Sequence, residues 1–189
     1  LRTIYLYPMA LSFIVTGTAW KWILNPGLGV EKLVRDMGFP DFTFGWLVDP
    51  QMAIYTVVIA GVWQSSGYAV ALFLAGLRSV DDEILKAAAM DGAGPWRTYT
   101  GIVLPMMRPV FLSTIIILAH LAIKSFDLVI ALTGGGPGSV TELTSINLKR
   151  EAFEKWRTGY ASAYAVILFV TVFGLASIYV KALNKVKER

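Results

Sequence analysis

Residues 79–105 read SVDDEILKAAAMDGAGPWRTYTGIVLP, a run that is neither greasy enough to cross a bilayer nor glycine-rich enough to be slack, set between two long apolar segments. Ser79 followed three residues later by Asp82 is a capping-box pattern, and Asp81, Asp82 and Glu83 favour the positive end of a helix dipole. The pattern predicts a short helix from Val80 to about Met90. Asp91-Gly92 then supplies a stop, because glycine takes the left-handed conformation at a helix end at little cost, and Pro95 fits the first turn of a second short helix. The expected shape is an L of two small helices. A helix of about ten residues is marginal in water, so packing must hold it. Ala87, Ala88 and Ala89 permit close approach of another backbone, with Lys86 and Arg97 offering directional contacts around that dry patch. The competing reading is an alanine-rich helix lying on a membrane surface.

Composition sets the surroundings of this loop. With 56% hydrophobic and only 16% charged side chains and a mean hydropathy of +0.59, the chain is too apolar for an ordinary soluble domain and reads as an all-α, polytopic integral membrane helix bundle. Six tryptophans and eight tyrosines agree, since amphipathic rings gather at bilayer interfaces. The absence of cysteine removes disulfides, thiolate metal sites and thiol catalysis, and the one histidine, His120, cannot build a metal site alone. Neither a cofactor nor a metal is expected. A net charge of +4 points weakly to anionic lipid or acidic partners and not to nucleic acid. The sequence starts at Leu1, without an initiating methionine or a visible signal peptide.

Four apolar runs are long enough to span a bilayer, which takes about 20 residues. Residues 4–24 carry one charge, Lys21, placed to snorkel, with Tyr5 and Tyr7 toward one interface and Trp20 and Trp22 toward the other. Asn25-Pro26-Gly27 breaks this run, and Val30 to Met37 then alternates apolar and charged residues as a short helix along the external surface would. Residues 53–77 carry no charge and have a polar centre, Gln64-Ser65-Ser66-Gly67, flanked by Trp63 and Tyr68. Polar side chains at that depth face the bundle interior or a water-filled cavity. Two readings stand for Trp63, Gln64, Ser65 and Tyr68: helix-to-helix hydrogen bonding, or a hydrated solute path in which aromatic faces and amides meet a sugar. Residues 109–132 form the third run, interrupted by His120, Lys124 and Asp127. Lys124 and Asp127 form either an ion pair across one turn near the interface or the outer part of the path. His120 is either a hydrogen-bonded packing residue or a proton relay. Gly134 to Gly138 lacks the Lys-Ser/Thr of a phosphate-binding loop and reads as a breaker. Val140 to Thr158 looks like an external or half-inserted helix. Residues 160–180 form the last run, and the basic residues Lys181, Lys185, Lys187 and Arg189 after it argue for a cytoplasmic C-terminus, which puts residues 79–105 on the same side.

The motifs Ala87-Ala88, Gly92 four residues on, and Ile102 with Leu104-Pro105 after it resemble the EAA signature of the membrane subunits of binding-protein-dependent ABC importers. AAAMDGAGPW, IVLPMMRP and Leu132-Thr133-Gly134-Gly135-Gly136-Pro137 resemble the sugar-transporter branch in particular, and with the apolar spacing they cover nearly all of the chain. The resemblance implies a single transmembrane permease domain over residues 1–189, missing about two N-terminal helices, in a bacterial or archaeal cytoplasmic membrane. It implies that residues 79–105 hold a coupling helix docking on a cytoplasmic ATPase, with Glu83, Lys86, Ala87, Ala88, Asp91, Gly92 and Pro105 as the coupling residues. Lys86 stands where the signature has its leading glutamate, and Glu83 lies one turn earlier. The implied function is to form the path for a sugar without catalysis, beside a second permease subunit and an extracytoplasmic sugar-binding protein. Alternatives are a permease for a polyol, amino acid or ion, a passive channel or scaffold, and an intramembrane enzyme.

Overall fold

The computed structural model describes residues 2–187 and contains helices and turns, with no strand among the described residues. Helices α1 (Arg2–Ala10) and α2 (Phe13–Ile23) are followed by the short α3 (Val30–Asp36), the long α4 (Ala53–Arg78), and the two elbow helices α5 (Asp82–Met90) and α6 (Pro95–Thr98). A π-turn (Tyr99–Val103) and α7 (Leu104–Met106) lead into α8 (Arg108–Ile123) and α9 (Phe126–Leu132). After the glycine turn come α10 (Thr144–Lys149), a second π-turn (Arg150–Glu154) and α11 (Thr158–Lys187). Arg189 and the side chains of Lys185 and Lys187, which enter the orientation argument, lie outside the described residues.

Among the described residues two helices are individually long and apolar enough to cross a membrane, residues 53–78 and 158–181, and a third crossing exists if the pair Pro95–Met106 and Arg108–Ile123, bent by 60°, counts as one. Over residues 158–181 of α11 nearly every side chain is exposed or only partly buried, as in a helix whose solvent is lipid. The core sits instead where α2, α4 and α9 meet: Ala60, Leu128 and Leu132 are buried there, with Phe13, Trp20, Leu47 and Val57 packed around them.

Two of the expected continuous spans are broken. Residues 4–24 divide at Leu11–Ser12: Pro8, inside α1, has no N–H to give the carbonyl one turn back, and Ser12 caps α2 by accepting the Val15 N–H at 3.3 Å. The halves part company. α1 packs on α4, and α2 packs on α9. Residues 109–132 divide at Lys124–Ser125. Lys124 caps the C-terminus of α8 and Asp127 lies in the first turn of α9, so each charge sits at the helix end its sign favours. No ion pair joins them among the described residues; both are exposed.

Where backbone approaches backbone, glycine is required at two places in particular. A Cβ on Gly17 would lie 2.7 Å from the Ala131 Cβ and 2.8 Å from the Leu128 carbonyl oxygen, and one on Gly67 would lie 2.6 Å from the Tyr5 carbonyl oxygen. These contacts fix α2 to α9 and α1 to α4. The glycine turn after α9 is clasped by Thr141, whose hydroxyl donates to the Gly136 carbonyl at 2.8 Å and lies 2.8 Å from the Thr133 hydroxyl.

Candidate functional site

The elbow is built from local rules. Ser79 does not start α5 as the capping-box reading expects; its hydroxyl donates to the Gly76 carbonyl at 2.7 Å and closes α4. Asp81 takes the capping role, accepting the Glu83 N–H at 2.9 Å, so the helix begins at Asp82. At its other end Gly92 has φ +75, with the Gly92 N–H on the Ala89 carbonyl and the Ala93 N–H on the Ala88 carbonyl at 3.1 and 3.0 Å. This paired arrangement satisfies carbonyls that a helix end otherwise leaves open. Pro95 opens α6 at a position where no N–H is needed. Pro105 lies just past the π-turn, where the Leu104 N–H reaches the Tyr99 carbonyl five residues back. The widened turn moves backbone away from the proline ring.

At 3.6 residues per turn, Glu83, Lys86, Ala87 and Met90 share one side of α5, and all four are exposed. Ala88 does not belong to that side: at 5% exposure it is turned inward, so it serves the packing of the elbow and offers no surface for close approach. Asp91 is exposed, and its side chain makes no hydrogen bond among the described residues, so the stop is made by backbone and Gly92. Two residues that the sequence reasoning passed over stand out. Met90 is 84% exposed and Trp96 81% exposed, beside the exposed Asp82, Glu83, Lys86 and Arg97, none of which forms an ion pair among the described residues. Large apolar side chains ringed by unpaired charges are what an interface leaves when its partner is removed. Met90 was readable as an apolar residue on the side of α5 that carries Glu83 and Lys86, whereas Trp96, in the single turn of α6, had no such signal.

The residues singled out for a solute path fall on different sides of the bundle. Trp63 packs edge-on against Trp20 at 5.9 Å between ring centroids. Gln64 points into the break between α1 and α2, where its amide donates to the Leu11 carbonyl at 2.7 Å; the residue is 6% exposed, and its Oε1 is buried without a partner. Tyr68 is half-buried one turn along α4. His120 lines a cavity of about 330 Å³ against Val172, Leu175 and Ala176 of α11. Lys124 and Asp127 are at the α8–α9 turn.

Ser65 alone of this set reaches the larger cleft, about 500 Å³ between α4, α8 and α9, where it meets Ser66 and Ser125 among apolar walls that include Phe13, Gly61 and Leu121. Each serine donates to a carbonyl of its own helix at 2.7 Å, Ser65 to Gly61, Ser66 to Trp63 and Ser125 to Ala122. Their oxygens are left as acceptors, suited to the hydroxyl protons of a solute. Ser66 belongs to the polar centre at residues 64–67 read from the sequence, whereas Ser125 was not singled out, although it is next to Lys124.

The Gln64 contact supports a direct prediction. Gln64→Leu leaves the Leu11 carbonyl unpaired at a helix break in an apolar surrounding, at a cost of about 1–3 kcal/mol. The expected result is a lowered melting temperature in detergent with the elbow unaffected; an unchanged melting temperature would contradict the bridging role.

Over its full length the chain is 39% identical to a probable ABC transporter permease protein of Pyrococcus horikoshii, of which it covers 65%. Over 94% of its length it is 36% identical to the xylose/arabinose import permease protein XacH of Haloferax volcanii, covering 56% of that protein. The chain thus spans roughly three-fifths of the length of these relatives. In fold it is similar, with a TM-score of 0.80, 20% identity and coverage of 99% of this chain and 64% of the other, to a chain in the crystal structure of a bacterial ABC transporter involved in the import of the acidic polysaccharide alginate. Residues 1–186 match the family described as binding-protein-dependent transport system inner membrane component, and to that family of membrane permease subunits the chain belongs.

Proposed function

We propose that this chain forms one half of the membrane path of an ABC importer for a sugar, working with a second permease subunit, a cytoplasmic ATPase and an extracytoplasmic sugar-binding protein. The observation that carries the reading is the elbow, a capped and locked projection bearing Met90 and Trp96 outward among unpaired charges. Such a rigid knob transmits a push. Glu83, Lys86 and Ala87 contribute the outward face, Gly92 and the backbone of Asp91 its shape, Ala88 its internal packing, and Pro105 the joint to α8. The chain acts as a single transmembrane unit with four crossings, of which those over 4–24 and 109–132 are each divided between two helices and those over 53–77 and 160–180 each lie within one. Four crossings bring both ends and the elbow to the cytoplasmic side of a bacterial or archaeal inner membrane.

ATP-driven closure of the ATPase must bind one permease state better than the other. About 5.5 kcal/mol of differential binding moves a two-state equilibrium from 1:99 to 99:1. Moving the elbow swings α8 through the 60° bend at Met107, and α8 with α4 and α9 frames the cleft that holds Ser65, Ser66 and Ser125. A sugar as cargo fits hydroxyl acceptors in an uncharged lining, and accords with the xylose/arabinose name of the Haloferax relative.

The elbow reading is tested by a contrast between neighbours in reconstituted vesicles. Gly92→Val forces a β-branched residue to φ +75, where no neighbour crowds its Cβ but the backbone itself resists by about 1–2 kcal/mol. ATP-dependent sugar uptake is expected to fall several-fold. Asp91→Ala removes only an exposed side chain, and uptake is expected to stay near wild type. Equal uptake by both variants would remove the elbow from the mechanism.

A further inference from the structure

Helix α3 turns the wrong side outward for a helix in water. At 3.6 residues per turn its side chains divide among three faces. Glu31 and Arg35 form the face held to the protein: they pair at 2.6 Å, Glu31 accepts the Phe44 N–H at 2.8 Å, and the Arg35 Nε donates to the Phe42 carbonyl at 2.8 Å. Glu31 is only 6% exposed. Val30, Leu33, Val34 and Met37 form a second face, on which Leu33 is 56% and Met37 70% exposed. Lys32 and Asp36, both exposed, form the third. A polar residue buried beneath an exposed apolar strip reverses the usual order of a surface helix.

The strip does not stop at the helix ends. Leu28 precedes it and Phe39 follows it, both strongly exposed, and Trp22 and Ile23 continue it onto the outer side of the last turn of α2. An exposed apolar surface of this extent marks a partner or a membrane. Two features favour the membrane: the strip is continuous with the exposed apolar side of α2, part of the run over residues 4–24 that carries one charge, and a charged face flanks it in the arrangement that suits a helix lying in the headgroup layer. Lys32 is then free to extend toward water and phosphates.

We propose that α3 and its flanks, from Leu28 to Phe39, lie in the headgroup layer of the bilayer with Leu33, Met37 and Phe39 directed toward the acyl chains. The Glu31–Arg35 clip to Phe42 and Phe44 makes this helix and the following loop one unit, so the lipid surface sets the depth of the connection between α2 and α4. The inference does not depend on the cargo or on which leaflet is occupied.

Residues 1–189 hold no cysteine, so within them single replacements report site by site. Leu33→Cys, Met37→Cys, Lys32→Cys and Asp36→Cys would each be spin-labelled in the full-length protein, assembled in lipid nanodiscs, and the labels relaxed by dissolved oxygen and by a water-soluble nickel chelate. The oxygen-to-nickel accessibility ratio is expected to be at least about two-fold higher at positions 33 and 37 than at 32 and 36, as for a helix half-sunk in the interface. Equal ratios on the two faces would overturn the proposal. Labels at 33 and 37 shielded from both reagents would also overturn it, because a protein partner would then cover the strip. Quenching of a fluorophore at the same sites by brominated lipid gives an independent reading: stronger quenching at 33 and 37 supports the proposal, and equal quenching refutes it.

Discussion

Gly17→Val is expected to be the most destabilising single replacement in the helical core, lowering the melting temperature in detergent sharply and reducing the yield of folded protein. Even the Cβ of an alanine would stand 2.7 Å from the Ala131 Cβ and 2.8 Å from the Leu128 carbonyl oxygen, and the latter is backbone that cannot rotate away. Valine adds two methyl groups to that clash. Overpacking of this sort costs about 1–3 kcal/mol where neighbours can shift, and more where the obstacle is main chain. Leu128 and Leu132, displaced with α9, belong to the buried cluster with Ala60, so the damage spreads to α4. Gly174→Ala in α11 is the control, because nothing lies within 4 Å of its added Cβ. Thermal stability that fell equally for both would point to a general intolerance of glycine loss and away from the α2–α9 contact.

Trp96→Ala carries the second large expectation, and it concerns assembly. An 81% exposed tryptophan stabilises little within its own chain, so the variant folds normally. As an interface anchor it is worth at least about 2 kcal/mol, or roughly 30-fold in affinity for the ATPase, with Met90→Ala acting in the same direction. Titrating purified ATPase onto the variant permease in nanodiscs measures this directly. An affinity within two-fold of wild type, from a variant with unchanged melting temperature, would take Trp96 out of the interface.

The parts of the fold that were readable from the residues are those set by local chemistry. The uncharged runs at 53–77 and 160–180 appear as α4 and the larger part of α11, and the elbow follows from Gly92 as a stop and Pro95 as a start. Apolarity, however, says that a segment prefers lipid and not that it is one helix. Leu11–Ser12 and Lys124–Ser125 break in the middle of greasy stretches; at the first, Pro8 and the Ser12 cap act locally while Gln64, more than fifty residues away, completes the Leu11 carbonyl. The Ser79 cap was misread because Ser79 and Asp81 are both good capping residues, and the choice between them depends on where α4 ends. Ala88 illustrates the same limit. Three consecutive alanines look alike in sequence, while the helical phase turns one of them inward and leaves its neighbours out.

The division at Leu11–Ser12 bears on how such a chain enters a bilayer. Eleven residues of α2 reach about 16 Å and nine of α1 less, against a hydrocarbon layer about 30 Å thick, so neither piece can be threaded across alone. A crossing made by residues 4–24, as proposed above, therefore needs both pieces to enter together. The break between them is completed only once α4 is in place, because the Gln64 amide on that later helix holds the Leu11 carbonyl.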